Sequence, residues 1–379
     1  MLQPRVLRLL AVLLAIAGAG YFLVHAIDTV RLATATPPIH SDFHAIWSYA
    51  RVAVLDGGQA VYDQPHLWQS ELAWGRDPTR PAPLPFAYPP HFLLLIAPLA
   101  WLDYAPAYLA WVLATAGLFV AAVAGVRVRG LLLLLAPAAT ATMIYGQSGF
   151  LAAALIVGGM RAVPASPVLA GVLLGLATYK PQLGLLVPVA LLALRQWRVI
   201  AVAILTVGVL AALTAALWGG GIWGAWLAVL PGYSQRFDAE MGPYWYLVPT
   251  VEGTLRGLGV AGGIAKFVQI MVALPVAGAV WWLFRRASHT VALAGLLVAT
   301  FLVTPHAFLY DLPLVAAAIW LLLTARPAID RSALGAALLA GLVPALVLAA
   351  PETAMLAVIA HAVLFGAIVY GAVPRKSVS

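Results

Sequence analysis

The sequence predicts an all-α integral membrane protein that crosses the bilayer many times. Hydrophobic residues make up 64% of its 379 residues, charged residues only 9%, and the mean hydropathy is +0.98. Soluble domains carry about 25% charged residues, and a soluble fold of this length would leave too much apolar surface in water. Long apolar stretches recur between residues 7 and 373, which indicates that lipid surrounds most of the chain. Cytosolic enzymes and disordered chains are therefore excluded.

The remaining global features describe topology. The chain has no cysteine, which excludes disulfides and thiolate metal sites. Its net charge is +8, but the basic residues occur as small groups between apolar runs. In a membrane protein this pattern reports orientation, so we expect a lipid bilayer and no nucleic acid as partner.

Apolar runs place the membrane spans. A basic start (1–8) precedes the run 9–24, which we interpret as an uncleaved first span; a cleaved signal peptide is the alternative, because small residues lie within it. Further runs occur at 91–103, 106–125, 131–145, 148–160, 167–179, 181–194, 199–217, 264–284, 290–304, 308–324, 332–350 and 353–372. Several are too short to cross alone and favour tilted or broken helices. We expect roughly 10–13 crossings in a single membrane domain, 1–379.

Charge then sets the orientation. With the N-terminus in the cytoplasm, short inner loops hold 13 of the 21 basic residues: Arg5, Arg8, Arg127, Arg129, Arg161, Arg195, Arg198, Arg285, Arg286, Arg326, Arg331, Arg375 and Lys376. The acids collect in two outer loops, 27–90 and 218–262: Asp28, Asp42, Asp56, Asp63, Glu71, Asp77, Asp238, Glu240 and Glu252. We therefore expect cytoplasmic termini and an extracytoplasmic functional site.

The first outer loop contains a predicted amphipathic helix. Ser41 can cap its start, Asp42 suits its first turn, and Gly57 follows its end. Apolar residues recur at helical spacing on one face, which predicts a helix lying along the interface: Phe43, Ile46, Trp47, Ala50 and Val54. Asp42 and Tyr49 share another side. Such a carboxylate can take a proton from a hydroxyl, although first-turn acids are also ordinary helix charges.

Short motifs in a fixed order carry a family resemblance. They are Asp42-Phe43, Trp47, Ala50, Leu55, Gly57, Ala60, Tyr62-Asp63, Phe86, Tyr88-Pro89-Pro90, Ala97-Pro98-Leu99, Gly146-Gln147, the stretch 170–177, Lys180-Pro181-Gln182, Thr304-Pro305 and Tyr310-Asp311-Leu312. Over about 40–315 the chain resembles glycosyltransferase family 87. The resemblance implies a GT-C fold, a polyprenyl-phosphate-sugar donor, and an aspartate of the first outer loop, here Asp42, as general base. Mannosyltransferases and arabinofuranosyltransferases are the branches of that family which the chain resembles, and mannose is the favoured sugar.

Such a donor makes specific demands on the chain. Its sugar phosphate lies at the membrane surface and its tail in lipid, so the site belongs at the outer interface. One inverting displacement needs a base and a cation for the departing phosphate, but no covalent intermediate. Lys180 is the first candidate for the phosphate, because membrane-edge cations are costly; a lysine that snorkels to headgroups is the alternative. Arg256 and Lys266 are further candidates.

Substrate-binding candidates complete the set. His306 and Tyr310 are one helical turn apart in an outer turn, with Asp311 adjacent, and fit sugar hydroxyls or acceptor deprotonation; a capping cluster is the alternative. The histidine's place departs from the family pattern. Gln147 is either a hydroxyl ligand or part of a tight turn. The others are His44, Tyr49, Tyr62 and Tyr88, of which Tyr88 also marks the re-entry of the chain into the membrane.

We expect neither metal nor cofactor, because the scattered histidines lack ligand spacing and Gly219–Gly221 lacks a phosphate-loop context. The expected activity is transfer of one sugar to a lipid-linked or glycan acceptor at the outer face of a bacterial inner membrane. A secondary transporter or lipid flippase is the rival class, but no pair of interrupted segments matches in two halves. A non-catalytic membrane scaffold is the third reading.

Overall fold

The structure is a computed structural model that describes residues 42–76, 78, 85–325 and 331–373, with positions 12, 13, 16 and 20 of the first apolar run. Most of the predicted first span, the Ser41 cap, Asp28, Asp77 and the C-terminal basic pair lie outside the described residues. The described part is all-helical, with 84% of residues in helices and no strands. This confirms the predicted all-α class.

Sixteen α-helices are described in chain order. They are α1 (Asp42–Leu55), α2 (Gln64–Ala73), α3 (His91–Ile96), α4 (Tyr104–Ala124), α5 (Pro137–Tyr145), α6 (Gly149–Ala162), α7 (Pro167–Leu176), α8 (Val187–Ala193), α9 (Trp197–Trp218), α10 (Gly221–Glu240), α11 (Val251–Gly257), α12 (Gly262–Arg286), α13 (His289–Val303), α14 (Pro313–Ala325), α15 (Arg331–Ala349) and α16 (Met355–Ala372). Short 3₁₀ turns join them: Gly58–Tyr62, Ala97–Trp101, Val128–Leu135, Ala177–Tyr179, Pro181–Gly184, Gly242–Leu247, Leu309–Asp311 and Pro351–Ala354.

Four described helices are long and apolar enough to span a membrane: Tyr104–Ala124, Trp197–Trp218, Gly262–Arg286 and Glu352–Ala372. A fifth candidate, Val128–Leu135 with Pro137–Tyr145, is bent by 74°. Pro137 stands at the bend, where proline removes a backbone donor and starts the new helix. Seven shorter apolar helices of 10–17 residues accompany them. The predicted 10–13 crossings would need several of these shorter helices to cross, and that count stays a prediction.

Two long helices place both polar loops at the same face. The Gln59 side chain of the first loop donates to the Trp218 carbonyl at the end of α9, 3.2 Å away. At the other end of α9, the Ala193 carbonyl accepts from Arg285 in the last turn of α12. Helices α9 and α12 are thus antiparallel, and the second loop joins their ends beside Gln59. We call this the loop face.

Helix α1 begins and ends close to the predicted positions, and its apolar face is buried in protein. Phe43, Ile46 and Trp47 are almost completely buried, and so is Tyr49 on another side of the helix. The Trp47 indole nitrogen donates to the Leu102 carbonyl, 2.9 Å away. The apolar stripe therefore packs against protein instead of facing lipid, because the turn 97–101 and helices α2 to α4 surround it.

Candidate active site

Asp42 occupies the first turn of α1 and meets the turn between α5 and α6. The Gln147 side-chain amide donates to Asp42 Oδ2 at 3.1 Å, across 105 residues of sequence. Asp42 reaches solvent, whereas the following residues, Phe43 and His44, are buried. The carboxylate is thus held in one orientation and remains open to a ligand.

Two glycines make this meeting possible. Gly146 ends α5 with φ of +61°, a conformation that side chains other than glycine rarely adopt, and a Cβ there would press on Phe43. A Cβ on Gly149 would overlap the Tyr310 carbonyl oxygen. The turn between them therefore touches α1 on one side and the 309–311 turn on the other. Of the two readings of Gly146-Gln147, the tight turn is present, and it also delivers Gln147 to Asp42.

Lys180 and Asp311 form a buried ion pair beside this turn. Lys180 Nζ lies 2.5 Å from Asp311 Oδ1, and the two side chains are 3% and 0% exposed. Asp311 Oδ2 also accepts from the Phe308 backbone N–H at 3.0 Å, and Lys180 Nζ lies 4.8 Å from the centre of the Tyr310 ring. The lysine does not reach toward headgroups, because its ammonium is enclosed by protein and paired with a carboxylate.

Electrostatics link Asp42 to this pair and to a further cation. The protein packed around the Asp42 carboxyl partly desolvates it and raises its pKa, although the residue still reaches solvent, while the Gln147 hydrogen bond and the charges of Arg76 and Lys180 lower the pKa. Arg76 was not among the phosphate candidates chosen from the sequence. The sequence does not single it out, because the first outer loop also contains Arg31, Arg51 and Arg80.

Arg76 is held by Glu71. Its Nη1 donates to Glu71 Oε2 at 2.9 Å, and its guanidinium lies 5.4 Å from the centre of the Trp68 ring. Glu71 is fully buried, and this burial raises its pKa to about 7 despite the arginine. The protonation of Glu71, and with it the charge of its pair with Arg76, therefore changes with pH in the neutral range.

Tyrosines surround the Asp42 carboxylate. The charge of Asp42 contributes to the raised pKa of both Tyr49 and Tyr88, after the larger effect of burial. Tyr62 donates its hydroxyl to the Tyr88 carbonyl at 2.9 Å and so ties the first loop to the re-entering chain. The Tyr310 ring contacts Tyr145, next to the Gly146 turn, at 6.1 Å between centroids. Tyr49, Tyr88 and Tyr310 thus gather with Asp42, Gln147 and Lys180.

His44 lies one turn inside α1 and is completely buried. Its Nδ1 lies 3.4 Å from the Ser48 hydroxyl, and its Nε2 lies 3.4 Å from the Trp74 carbonyl. These contacts join α1 to the end of α2.

Arg256, Lys266 and His306 belong to a separate group at the second loop. Asp238 accepts from Lys266 at 3.0 Å and lies 3.6 Å from Arg256, whose guanidinium is 4.9 Å from the centre of the Trp245 ring. The His306 ring packs 4.7 Å from Phe237 of α10. Burial, with the charge of Lys266, lowers the pKa of His306, which favours the neutral imidazole.

The expected spacing of one helical turn between His306 and Tyr310 is wrong. Residues 304–308 are not helical, because α13 ends at Val303 and Pro305 cannot donate a backbone hydrogen bond. His306 consequently turns toward α10, whereas Tyr310 turns toward Lys180.

Within the described ranges, no group of three or more His, Asp or Glu side chains is arranged to hold a metal ion.

The described helices define an all-helical membrane protein in which the exposed Asp42 carboxylate lies near a buried lysine and several tyrosines. The model of glycosyltransferase family 87 matches residues 86–305, more than half of the chain, and the chain therefore belongs to that family. This confirms the resemblance found in the sequence, and the protein is a glycosyltransferase. Lys180 and Gln147 lie within the matched residues, whereas Asp42, Tyr310 and Asp311 lie outside. Neither a curated protein nor a solved structure matches the chain.

Proposed function

We propose that this glycosyltransferase transfers one sugar, with mannose favoured, from a polyprenyl-phosphate-sugar donor to a hydroxyl of a lipid-linked or glycan acceptor. Asp42 acts as general base, and the anomeric configuration inverts. The observation that supports this most is the Asp42 carboxylate, oriented by Gln147 and subject to the charges of Arg76 and Lys180, in a chain of this family.

The reaction balances with the groups present. The acceptor O–H proton moves to Asp42, the acceptor oxygen bonds to the anomeric carbon, and the bond from that carbon to the phosphate oxygen breaks. The polyprenyl phosphate leaves with the bonding electrons, and a nearby cation stabilises its charge. A raised carboxyl pKa makes the Asp42 carboxylate a stronger base.

Lys180 and Arg76 are the proposed cations for the donor phosphate. Both charges act on Asp42, so both belong to the same site as the base. Asp311 is proposed to hold Lys180 in position instead of binding sugar, since both of its carboxylate oxygens already accept from protein donors. Arg256 is better explained by its pairing with Asp238 and its packing on Trp245.

The sugar and acceptor hydroxyls would meet Tyr49, Tyr88, Tyr310 and Gln147, which gather around Asp42. Tyrosine rings also offer flat surfaces for sugar rings, and their hydroxyls donate and accept hydrogen bonds. We assign His44, Tyr62 and His306 supporting roles, because their described contacts are with protein at the edges of this group.

The proposed location is the bacterial inner membrane, with the loop face extracytoplasmic and both termini cytoplasmic. The distribution of basic residues supports this orientation: Arg127, Arg129, Arg161, Arg195 and Arg198 lie in short connections or at helix ends away from the loop face. Arabinose from a polyprenyl-phosphate donor is the alternative sugar. Membership in a glycosyltransferase family favours an enzyme over a transporter or flippase.

The test is transfer by purified protein in proteoliposomes, with radiolabelled polyprenyl-phosphate mannose or arabinose and a membrane-lipid extract as acceptor. The donor that labels a product identifies the sugar. Asp42→Asn is expected to lower kcat about 10²- to 10⁴-fold, the usual contribution of a general base. Asp63→Asn is the control, because Asp63 only caps α2 and asparagine caps equally well. Full activity of folded Asp42→Asn would remove Asp42 as the base.

A further inference from the structure

Two helix ends meet on the face opposite the loop face. Arg285 Nη1 donates to the Ala193 carbonyl at 3.2 Å, which ties the last turn of α12 to the end of α8. Arg195 and Arg198 follow within the next five residues, and Arg286 is adjacent to Arg285. We call these four residues, Arg195, Arg198, Arg285 and Arg286, the arginine patch.

No ion pair within the described part of the chain neutralises this patch. All four arginines are exposed, and none takes part in an ion pair found among the described residues. Four guanidinium groups on adjoining helix ends repel one another unless an anion lies among them. The backbone carries a further sign of constraint: Arg195 has φ of +57°, the only non-glycine residue in the described ranges with a positive φ.

The patch also has the shape of a headgroup site. Trp281, Trp282, Arg285 and Arg286 line an open cleft of about 460 Å³ at the end of the candidate span α12. Trp197, which begins the candidate span α9, is 62% exposed, and Trp281 is 44% exposed. Tryptophan side chains prefer the boundary between headgroups and hydrocarbon, which places the arginines at phosphate depth.

Apolar surface continues from the patch into the membrane. Ile204 and Leu205 lie two turns into α9 and are 67% and 65% exposed; on α12, Leu274 is 64% exposed. These side chains offer acyl chains a contact surface beneath the arginines. A ligand that satisfies both parts has an anionic head and two long apolar tails.

We infer that the arginine patch binds the phosphate headgroup of an anionic phospholipid from the leaflet opposite the candidate active site. Arginine is suited to this ligand because its planar guanidinium makes paired hydrogen bonds to phosphate oxygens. The site is independent of the sugar transferred and of the role of Asp42.

Ordinary surface charge is the competing explanation. Basic residues in the last turn of a helix stabilise it against its dipole, and basic loops set topology without binding a particular lipid. The chain contains a matched control for this: Arg127 and Arg129 are also exposed and follow the end of α4 on the same face. Two contacts show that the face is the same. Arg161 donates to the Ala122 and Val123 carbonyls at the end of α4, and the carbonyl of the preceding residue, Met160, lies 2.8 Å from Nε2 of His289, just beyond the end of α12.

The experiment measures lipid binding to the full chain in zwitterionic detergent. Phosphatidylglycerol and phosphatidylcholine with identical acyl chains are titrated, and native mass spectrometry counts the lipids retained. We expect the wild type to prefer phosphatidylglycerol by about tenfold or more, given about 1 kcal/mol for each basic residue near a lipid headgroup. Arg285→Gln/Arg286→Gln and Arg195→Gln/Arg198→Gln should each abolish most of this preference, since both helix ends form one site.

Arg127→Gln/Arg129→Gln should keep the preference. Equal losses in all three double variants would show general surface charge and overturn the site, as would a wild type with no preference. Melting temperatures of the wild type with each lipid provide a second measure that needs no variant. Phosphatidylglycerol should raise the melting temperature more than phosphatidylcholine in a buffer of low ionic strength, about 10 mM. Because salt screens the attraction between arginine and phosphate, NaCl at about 0.5 M should remove most of this difference. An unchanged melting temperature at low salt would contradict the inference.

Discussion

The candidate active site and the second loop hold their charges in different ways. In the candidate active site, Lys180 and Asp311 are almost completely buried and paired to each other, and no cation among the described residues is in direct contact with nearby Asp42. In the second loop, Asp238 is 36% exposed and shares two cations, Arg256 and Lys266. Removing charges from water is costly, whereas exposed pairs cost and contribute little. The buried arrangement is the one that requires a functional reason.

This difference separates candidates that look alike in the sequence. Lys180 and Arg256 are both basic residues beside an outer loop, and nothing in their immediate neighbours distinguishes them. The structure pairs Lys180 with a buried carboxylate near Asp42 and pairs Arg256 with a partly exposed one elsewhere. Four changes test whether the two regions differ as strongly as their burial indicates.

The largest effect is expected at the Lys180–Asp311 pair. Lys180→Met leaves the Asp311 carboxylate buried and unpaired, which should cost about 3–5 kcal/mol of stability and abolish transfer. In Lys180→Met/Asp311→Asn the buried charge is gone and the Phe308 N–H keeps an acceptor, so stability should recover. Activity should not recover, because the cation is missing. Melting temperature and transfer rate, measured on the same preparations, separate the two roles; a double variant with full activity would show that the pair is only structural.

The turn between α5 and α6 should be nearly as sensitive. Gly149→Ala places a methyl group on the Tyr310 carbonyl oxygen, and we expect a loss of about 1–3 kcal/mol together with a fall in kcat as Gln147 moves from Asp42. Gly208→Ala is the control, since a Cβ there meets nothing within 4 Å inside α9. It should be neutral or slightly stabilising. If both alanines behave alike in melting temperature and kcat, the close approach at Tyr310 does not matter.

A matched pair of arginines compares the two regions directly. Arg76→Gln should raise the KM for the donor about tenfold, the value of one charged hydrogen bond to phosphate. Arg256→Gln should change it less than about threefold, because an exposed pair with Asp238 contributes under about 1 kcal/mol. Initial rates over a donor titration give both constants. The opposite order would place the donor phosphate at the second loop.

The smallest effect concerns pH. Burial raises the pKa of Glu71 to about 7 from its ordinary 4.5, so the folded state holds this proton more tightly than the unfolded state. The associated stability is complete below the unfolded value and is lost as pH rises through 7. Glu71→Gln should therefore flatten the decline of the melting temperature between about pH 5 and pH 8. Parallel curves for the wild type and the variant would argue against a buried, protonated Glu71.

Much of the fold followed from local pattern. Apolar runs of 20 or so residues predict α4, α9, α12 and α16 closely, because span length is set by bilayer thickness. Helix α1 was also predicted near its true bounds, because Asp42 and Gly57 are local signals for a start and an end. Its surroundings were not, since a buried apolar stripe and an interfacial one have the same spacing.

The candidate site divides in the same way. The sequence by itself determined an all-helical membrane protein, the family, and Asp42, Gln147 and Lys180 as chemically suitable residues, because residue type and order are local properties. Only the tertiary structure brought Gln147 to Asp42 across 105 residues and Lys180 to Asp311 across 131, added Arg76, and turned His306 away from Tyr310. Those contacts depend on how helices pack and on two glycines that allow close approach, and neither is encoded in the spacing of residues along one helix.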